Sequence, residues 1–350
     1  MFLIKISFLN HIFNKHFMEY DYEESRVVKE IRERKAKRVL LQLPEGLKKE
    51  AFRLVRLIKD ETKAEAIVSG SSCWGGCDLA LDEFDKLKCD LIIHFGHAPF
   101  ITAKYQIIYI ELHAKNDMTK VLEKNLNKLK INKIGLISSI QFIKQIDNIK
   151  DFLESKKKKV IIPNKKGFSY YDGHVVGCEY NCLIPIRNDI DGVLVIGNKF
   201  HSLGAALMLT DKKVYLLNEH TEKIEDMDNE RDKIIKQRAI AIDKTKRAKK
   251  IGIMIDLKPG QYNLKTAENL KEKLEKLGKE VIIISIKEAT PSGLMSFYDV
   301  DAFIDTACPR IAVEDCDKYE KPMITSREAK IVLNEISWEE MLEKGLIGFI

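Results

Sequence analysis

The sequence predicts an α/β protein of three similar domains, and three observations lead to this fold class. Short runs of β-branched and other apolar residues, typical of strands buried on both faces, alternate with stretches of helical periodicity. The alternation predicts parallel sheets covered by helices. It recurs in three rounds across 350 residues, a length that allows two or three domains. We therefore expect three Rossmann-like units, each a small parallel sheet flanked by helices.

The individual elements follow from the length and period of each apolar run. A strand is expected where four to seven consecutive residues are mostly apolar, and a helix where apolar residues recur every three or four positions. The predicted strands are Val39–Leu43, Ala66–Ser69, Leu91–His94, Lys133–Ser138, Gly192–Ile196, Lys250–Ile255, Val281–Ile286 and Ala302–Asp305. The predicted helices are Leu47–Lys59, Asp78–Leu87, Ile140–Glu154, Arg231–Lys249 and Leu264–Leu277.

Polar stretches between the rounds suggest the domain limits. We predict domains at 18–116, 117–222 and 223–350, with the charged helix Arg231–Lys249 connecting the second and third. The first 17 residues are apolar but interrupted by Lys5 and Asn10, and they lack a small-residue cleavage site. We expect them to be an N-terminal extension with little structure of its own, and not a secretion signal.

Composition narrows the functional classes. With 45% hydrophobic and 32% charged residues, the chain can bury real cores, which argues against general disorder. The net charge of +6 is too weak to indicate direct nucleic-acid binding. No apolar run approaches the ~18 residues of a membrane span. We expect a cytoplasmic protein that binds neither membrane nor nucleic acid.

Common phosphate-binding and hydrolase motifs are missing. No GxGxxG follows a strand, and neither HExxH nor GxSxG occurs. The segment Gly192–Lys199 (GVLVIGNK) has glycines and a lysine, but their spacing is not that of a P-loop.

Three of the seven cysteines have the same position relative to the predicted strands. Cys77, Cys178 and Cys308 each follow a predicted strand in a different round. Ligand sites of α/β sheets lie beyond the carboxyl ends of the strands, so three such domains can present one thiolate each to a common centre. Three converging thiolates suit a four-iron cluster with one iron open to substrate. Gly177, before Cys178, would let the backbone approach a bulky group.

The cysteines permit other interpretations. The odd number of cysteines and the absence of a secretion signal argue against a disulfide framework. A four-thiolate zinc site could use Cys73-x3-Cys77 together with Cys178-x3-Cys182, but it would leave Cys308 unexplained. Cys89 and Cys316 are interpreted as small apolar residues.

Several longer segments resemble one enzyme family in their order and spacing. The chain resembles the archaeal diphthamide-synthesis enzymes, the 2-(3-amino-3-carboxypropyl)histidine synthases. The matching segments lie between Leu41 and Thr325: LQLPEGL, IIHFGHAPF, VIGNKFHSLGAAL, DLKPGQYN, TACPRIAVED and the two other cysteine segments. The usual radical-SAM signature CxxxCxxC is missing, since Cys73 and Cys77 have the spacing of its first two cysteines but Ala80 stands at the position of the third. This atypical family has the same departure.

The resemblance implies a function and a set of metal ligands. The family uses a [4Fe-4S] cluster and S-adenosylmethionine, breaks the bond between sulfur and the methionine γ-carbon, and releases methylthioadenosine. The resulting 3-amino-3-carboxypropyl radical adds to the imidazole C2 of a histidine of translation elongation factor 2. By resemblance, Cys77, Cys178 and Cys308 would hold a cluster at the centre of the three domains, and the enzyme would be a homodimer that needs an electron donor.

Further residues are candidates for the same site. Gly260 and Gln261 follow a predicted strand and could approach a cofactor closely. Arg310 could pair with a carboxylate of the substrate, or equally form a salt bridge with Glu314 one helical turn on. His201 is the candidate polar group near the reacting imidazole, and a helix-capping role is the alternative.

Three other segments have weaker indications, and two other functions stay open. His94, His97 and Pro44–Gly46 end predicted strands and either line the same cavity or have structural roles. A quinolinate synthase-like iron–sulfur dehydratase would also have three α/β domains around one open-iron cluster. A zinc-stabilised module that binds the translation machinery is the non-enzymatic alternative.

Overall fold

The computed structural model describes residues 19–102 and 104–348, which form three sheets flanked by helices. The predicted extension 1–17 lies outside these residues. The fold class predicted from the sequence is confirmed. None of the helices in the described part of the chain is both long and apolar enough to cross a bilayer.

The first sheet has four parallel strands in the order β2-β1-β3-β4. Every residue of the central strand β3 is buried, which explains its uninterrupted apolar run. The strands are β1 (Arg38–Gln42), β2 (Glu65–Val68), β3 (Leu91–Phe95) and β4 (Ile107–Ile110), and the helices are α1 (Glu24–Glu33), α2 (Ala51–Thr62) and α3 (Leu81–Leu87).

The second sheet repeats this order as β6-β5-β7-β8 and adds an antiparallel edge strand, β9. Its strands are β5 (Lys133–Ser138), β6 (Lys159–Ile161), β7 (Gly192–Gly197), β8 (Lys213–Asn218) and β9 (Lys223–Asp226), and its helices are α4 (Met118–Asn125), α5 (Ile146–Ser155) and α6 (Lys199–Met208).

The third sheet has the same order again, β11-β10-β12-β13, with all pairs parallel. Its strands are β10 (Lys250–Asp256), β11 (Glu280–Ile286), β12 (Ala302–Asp305) and β13 (Met323–Thr325). Its helices are α7 (Asp228–Arg247), α8 (Leu264–Lys276), α9 (Pro291–Met295), α10 (Pro309–Glu314), α11 (Ala329–Val332) and α12 (Trp338–Lys344).

The predicted elements differ from the observed ones mainly at their beginnings. The predicted helices Leu47–Lys59 and Ile140–Glu154 each begin as a 3-10 helix, at Glu45–Glu50 and Ile140–Gln145. The predicted helix Asp78–Leu87 begins only at Leu81. Short 3-10 helices also occur at Leu126–Lys128, Asn181–Asp189 and Cys316–Lys318.

Two features cross the boundary predicted between the second and third domains. Strand β9 pairs with β8, so the predicted start of the third domain at residue 223 falls inside the second sheet. The C-terminal segment also returns to the second domain. Met341, Leu346 and Ile347 pack in its apolar core, and the Leu346 N–H donates to the carbonyl oxygen of Leu207 at 2.8 Å. A late segment rejoining an earlier sheet has no local signal in the sequence.

Candidate iron–sulfur site

Loops from all three sheets bring Cys77, Cys178 and Cys308 together. Cys77 follows β2, Cys178 follows β6, and Cys308 is the residue before α10. Burial raises the pKa of the Cys178 thiol well above its usual value, and electrostatic repulsion from Cys308 and Cys77 adds to the shift. Burial likewise raises the pKa of Cys308 to about 12, with contributions from Asp305 and Cys77. The three thiols are therefore near enough to influence one another's ionisation.

The third domain reaches the first at Cys77. The Gly260 N–H donates to the Cys77 carbonyl oxygen at 2.8 Å, and the Gln261 Nε2 donates to the Cys77 Sγ at 3.4 Å. A Cβ atom at position 260 would lie 2.6 Å from the Cys77 Cα, which is too close for any side chain. The chain thus needs glycine at 260 so that the two loops can meet. Both predicted cofactor residues of this loop contact the same cysteine.

The third domain reaches the second through Arg310. This arginine is 5% exposed, and its Nη1 donates to the Gly177 carbonyl oxygen at 3.0 Å. Its guanidinium carbon lies 3.6 Å from the centre of the Phe200 ring, a cation–π contact. Gly177 has a φ of +77°, and a Cβ atom there would clash with the same ring. Arg310 also forms the predicted ion pair with Glu314.

The guanidinium of Arg310 and the thiols of Cys178 and Cys308 affect one another's pKa values. Burial lowers the pKa of Arg310, while Cys308 and Cys178 act in the opposite direction. In turn, Arg310 opposes the rise in pKa of Cys178 and of Cys308. A buried positive charge near the sulfur atoms of Cys178 and Cys308 favours their thiolate forms, which are the forms that bind metal.

His201 lies in the first turn of α6, beside Phe200, whose ring contacts Arg310. Its Nδ1 is 3.0 Å from the Asn198 Oδ1, which also accepts the His201 backbone N–H at 3.4 Å. Since an amide oxygen only accepts, Nδ1 carries the proton and Nε2 holds a lone pair. Burial lowers the pKa of His201 to about 3, helped by Arg310. Asn198, not His201, caps this helix, and a catalytic role for His201 stays a prediction.

A cavity of about 1430 Å³ lies beside Asn198, and none of the three converging cysteines lines it. Pro44, Gly46, His97 and Asn198 line it, so two residues of the predicted Pro44–Gly46 segment share a cavity with one of the two histidines singled out in the sequence. His94 is completely buried behind His97.

The other cysteines are placed differently. Cys182 packs in the apolar core of the second domain, and Cys89 packs against Leu40 and Ile92 of the first. A four-thiolate zinc site would need Cys182, so its position in the core argues against that alternative. Cys316 lies after α10, where its thiol faces the Val313 carbonyl oxygen.

Asp305 was not among the residues singled out in the sequence. It ends β12 and is 2% exposed, and its Oδ2 has no hydrogen-bond partner among the described residues. Burial raises its pKa to about 7. A carboxylate at the carboxyl end of a parallel strand was the available signal, because ligand sites occur at such ends.

The donor set fits a cluster with three protein ligands. Three soft sulfur atoms converge, glycines at 260 and 177 allow close approach, and a buried guanidinium offsets negative charge. Gln261 supplies a donor to the Cys77 sulfur, a contact of the kind that tunes cluster potential.

Known proteins share this architecture over nearly the whole chain. The solved structure of Dph2 from Pyrococcus horikoshii with a 4Fe-4S cluster superposes with a TM-score of 0.85 at 30% identity, covering 95% of this chain and 96% of that one. The 2-(3-amino-3-carboxypropyl)histidine synthase of the same archaeon is 32% identical over 93% of this chain and 95% of its own length. Subunit 1 of the Schizosaccharomyces pombe synthase is 30% identical over 92% of this chain and 76% of its own.

A family model gives the same result. The model of diphthamide synthesis proteins matches residues 43–343, which include all three converging cysteines and their loops. This chain therefore belongs to the diphthamide synthesis protein family.

Proposed function

We propose that this protein is a 2-(3-amino-3-carboxypropyl)histidine synthase, which transfers the 3-amino-3-carboxypropyl group of S-adenosylmethionine to a histidine of translation elongation factor 2. The reaction is the first step of diphthamide biosynthesis. The observation that carries the proposal is the convergence of three thiols from three separate sheets. The relatives named above, whose sequences match almost the full chain, support the same activity.

Each residue of the site has a role in this proposal. Cys77, Cys178 and Cys308 would hold three irons of a [4Fe-4S] cluster, leaving the fourth open. When bound, the cluster supplies the electron that splits the sulfonium and starts the radical chemistry. Gln261 donates to a ligand sulfur, and Arg310 offsets the charge of the thiolates. Arg310 also keeps its proposed role of binding a substrate carboxylate, because it contacts the Gly177 carbonyl oxygen, Glu314 and the Phe200 ring while its Nε has no hydrogen-bond partner among the described residues.

The histidine of the protein substrate has to reach this buried place. The cavity of about 1430 Å³ is the candidate entrance, since Asn198, whose Oδ1 binds His201, lines it together with His97 and surface residues of α1. His201 carries a lone pair on Nε2 beside Arg310 and would contact the incoming imidazole through a hydrogen bond. We further propose a cytoplasmic homodimer served by a separate electron donor, as in the family it resembles.

Activity can be tested without oxygen. The purified protein should contain about four irons and four sulfides per chain. With dithionite and S-adenosylmethionine it should release methylthioadenosine, and with elongation factor 2 it should add the aminocarboxypropyl group to one histidine, detected by mass spectrometry. The Cys308→Ala variant is the matched control. A cluster that is indifferent to S-adenosylmethionine would instead favour the dehydratase alternative, and a chain with zinc and no iron would favour the non-enzymatic one.

A further inference from the structure

A second group of metal-binding side chains lies beside the loop that carries Cys77. Cys73, His94 and His97 place one ligand atom each within 4.8 Å of the other two. Cys73 is 5% exposed and His94 is completely buried. Among the described residues 19–102 and 104–348, this is the one group of three or more histidine, cysteine, aspartate or glutamate side chains whose ligand atoms all lie this close together. The proposed transfer reaction uses none of the three as a ligand.

Hydrogen bonds fix the protonation of His94. The Gln42 Nε2 donates to the Asp78 carbonyl oxygen at 2.6 Å, and the Gln42 Oε1 accepts the Ala80 N–H at 3.2 Å. The amide orientation is thereby set, and the same Oε1 lies 2.9 Å from the His94 Nδ1. Because the amide oxygen only accepts, His94 is protonated on Nδ1 and has a lone pair on Nε2. A histidine held through one nitrogen by an oxygen acceptor is typical of metal ligands.

His97 completes a pair of imidazoles. Its Nδ1 lies 2.9 Å from the His94 Nε2, and its ring lines the large cavity. Two nitrogen ligands at about 2.0–2.1 Å from a tetrahedral ion are about 3.3 Å apart. Because the His94 Nε2 has the lone pair, the His97 Nδ1 donates the hydrogen bond between the rings. To share an ion, the two nitrogens separate by a few tenths of an ångström and the His97 proton moves to its Nε2. Burial lowers the pKa of His97 to about 4, so the ring is neutral at neutral pH.

The Cys73 thiol has to lose its proton to bind an ion. Burial raises the pKa of this thiol to about 12, and Asp78 and Cys77 add to the rise, opposed by Lys48. Metal binding at a cysteine releases a proton, so an ion and a proton compete for this sulfur.

We propose that Cys73, His94 and His97 bind a zinc ion whose fourth coordination position opens to the cavity. One thiolate and two imidazoles form a donor set that suits Zn²⁺, and three protein ligands with an open position are the pattern of zinc sites that bind a further molecule. The inference concerns a different set of ligands from the iron–sulfur site and does not depend on the proposed function.

A zinc ion here would also affect the neighbouring cluster loop. Gly76 packs so closely on the next segment that a Cβ atom there would lie 2.7 Å from the Ala98 carbonyl oxygen. The ion would join Cys73, at the start of this loop, to the end of β3. Cys77 itself is also held by the Gly260 N–H, which donates to its carbonyl oxygen, so the cluster ligand keeps its place without the ion.

Element-specific measurements test the site in the cluster-loaded protein. We expect about one zinc per chain beside the iron, and zinc-edge X-ray absorption that shows one sulfur at about 2.3 Å with nitrogen or oxygen at about 2.0–2.1 Å. The Cys73→Ser variant should lose at least nine-tenths of this zinc and keep its iron. Cys182→Ser, which changes another buried cysteine, is the matched control and should keep both. Equal zinc in Cys73→Ser and the parent protein, or no zinc in either, would overturn the proposal.

A second measurement separates this site from misloading at the cluster cysteines. Zinc at those positions would show three sulfur ligands, and a spectrum of that kind for all the bound zinc would also overturn the proposal. In a chain with Cys77, Cys178 and Cys308 all changed to serine, Co²⁺ should still produce a thiolate-to-cobalt charge-transfer band. Adding Cys73→Ser should abolish that band. Circular dichroism of both variants establishes that the sheets are formed.

Discussion

Two buried arginines show how differently this molecule treats charge in its core and at its site. Arg238 of α7 is completely buried and binds both oxygens of the equally buried Glu328, at 2.7 and 2.6 Å. It also donates to the carbonyl oxygens of Ala312 and Met323. Arg310 is nearly as buried but has fewer hydrogen-bond partners: it contacts the Gly177 carbonyl oxygen, Glu314 and the Phe200 ring, and its Nε has no partner among the described residues.

The two arginines differ in the role of their positive charge. A buried pair such as Arg238–Glu328 needs every polar atom satisfied, and breaking it leaves an uncompensated charge. Arg310 instead faces cysteines whose charge depends on metal binding. We therefore expect changes at the core pair to lower stability, and changes around Arg310 to alter chemistry while the fold persists.

The strongest test of this separation removes a sulfur from the site. Cys308→Ala should abolish cluster binding and reduce transfer activity to background, because two thiolates do not hold the cluster. Iron analysis and far-ultraviolet circular dichroism check both parts. Full retention of iron would contradict the assignment of Cys308 as a ligand.

Changing the guanidinium should have the next largest effect. Arg310→Met should lower activity roughly 10- to 100-fold, the usual size of an effect on groups that support a metal centre, while iron content stays above half. The reduction potential should become more negative, since a positive charge near the thiolates is lost. Arg310→Lys, which keeps the charge, is the control. An unchanged potential in Arg310→Met would show that Arg310 acts only in packing.

The corresponding change in the core should have the opposite profile. Arg238→Met should lower the free energy of unfolding by about 3–5 kcal/mol, because Glu328 is left buried and unpaired. Denaturant titration measures this. The double variant Arg238→Met/Glu328→Leu should recover most of the loss. Iron per folded chain should be unchanged, and selective loss of iron would break the distinction between the two regions.

A buried histidine of the second domain, His174, predicts an acid dependence of stability. Burial lowers the pKa of His174 to about 4, against 6.5 in an unfolded chain. The folded state thus binds fewer protons between pH 6.5 and 4, and stability is lost as the pH falls through this range. In His174→Asn, whose side-chain oxygen can accept the Tyr170 N–H that the His174 Nδ1 now accepts at 3.1 Å, this slope should shrink by up to about 1.4 kcal/mol per pH unit. Urea titrations at pH 4.5, 5.5 and 7 test it, and an identical slope would contradict it.

The smallest effect is expected at a cysteine outside both regions. Cys89→Ala should leave iron content and activity unchanged and cost about 1 kcal/mol of stability, because this thiol only fills space beside Leu40 and Ile92. Iron loss in this variant would mean that the site extends further than the three loops.

Patterns along the chain were enough for the repeated architecture, because strands buried on both faces have a strong local signal. The predicted run Lys133–Ser138 coincides with β5, and Ala302–Asp305 with β12. Short strands at or near sheet edges, such as β6 and β13 with three residues each, have a much weaker signal. The position of β9 depends on pairing with β8, which no local pattern specifies.

The convergence of the three cysteines was predictable from the sequence, and their surroundings were less so. A thiol after a strand in each of three rounds indicates convergence at the carboxyl ends of the sheets. The contacts from Gly260 and Gln261 to Cys77, and from Arg310 to Gly177, join loops that are distant in sequence. They depend on how the domains dock. The hydrogen bonds that link Gln42, His94 and His97 were missed for the same reason, since these residues come from different strands and loops.

The origin of the three sulfurs in three sheets has a consequence for folding. A cluster bound to Cys77, Cys178 and Cys308 closes two long segments of chain, as a pair of disulfides would. The entropy lost on closing a loop grows only slowly with the length of the loop. The great length of these two segments therefore adds little to the entropy lost when the cross-links form. The contacts of Gly260 with Cys77 and of Arg310 with Gly177 already join the three domains, and the iron would add bonds between the same loops. The supply of iron would in this way affect how firmly the three domains of one chain are held relative to one another.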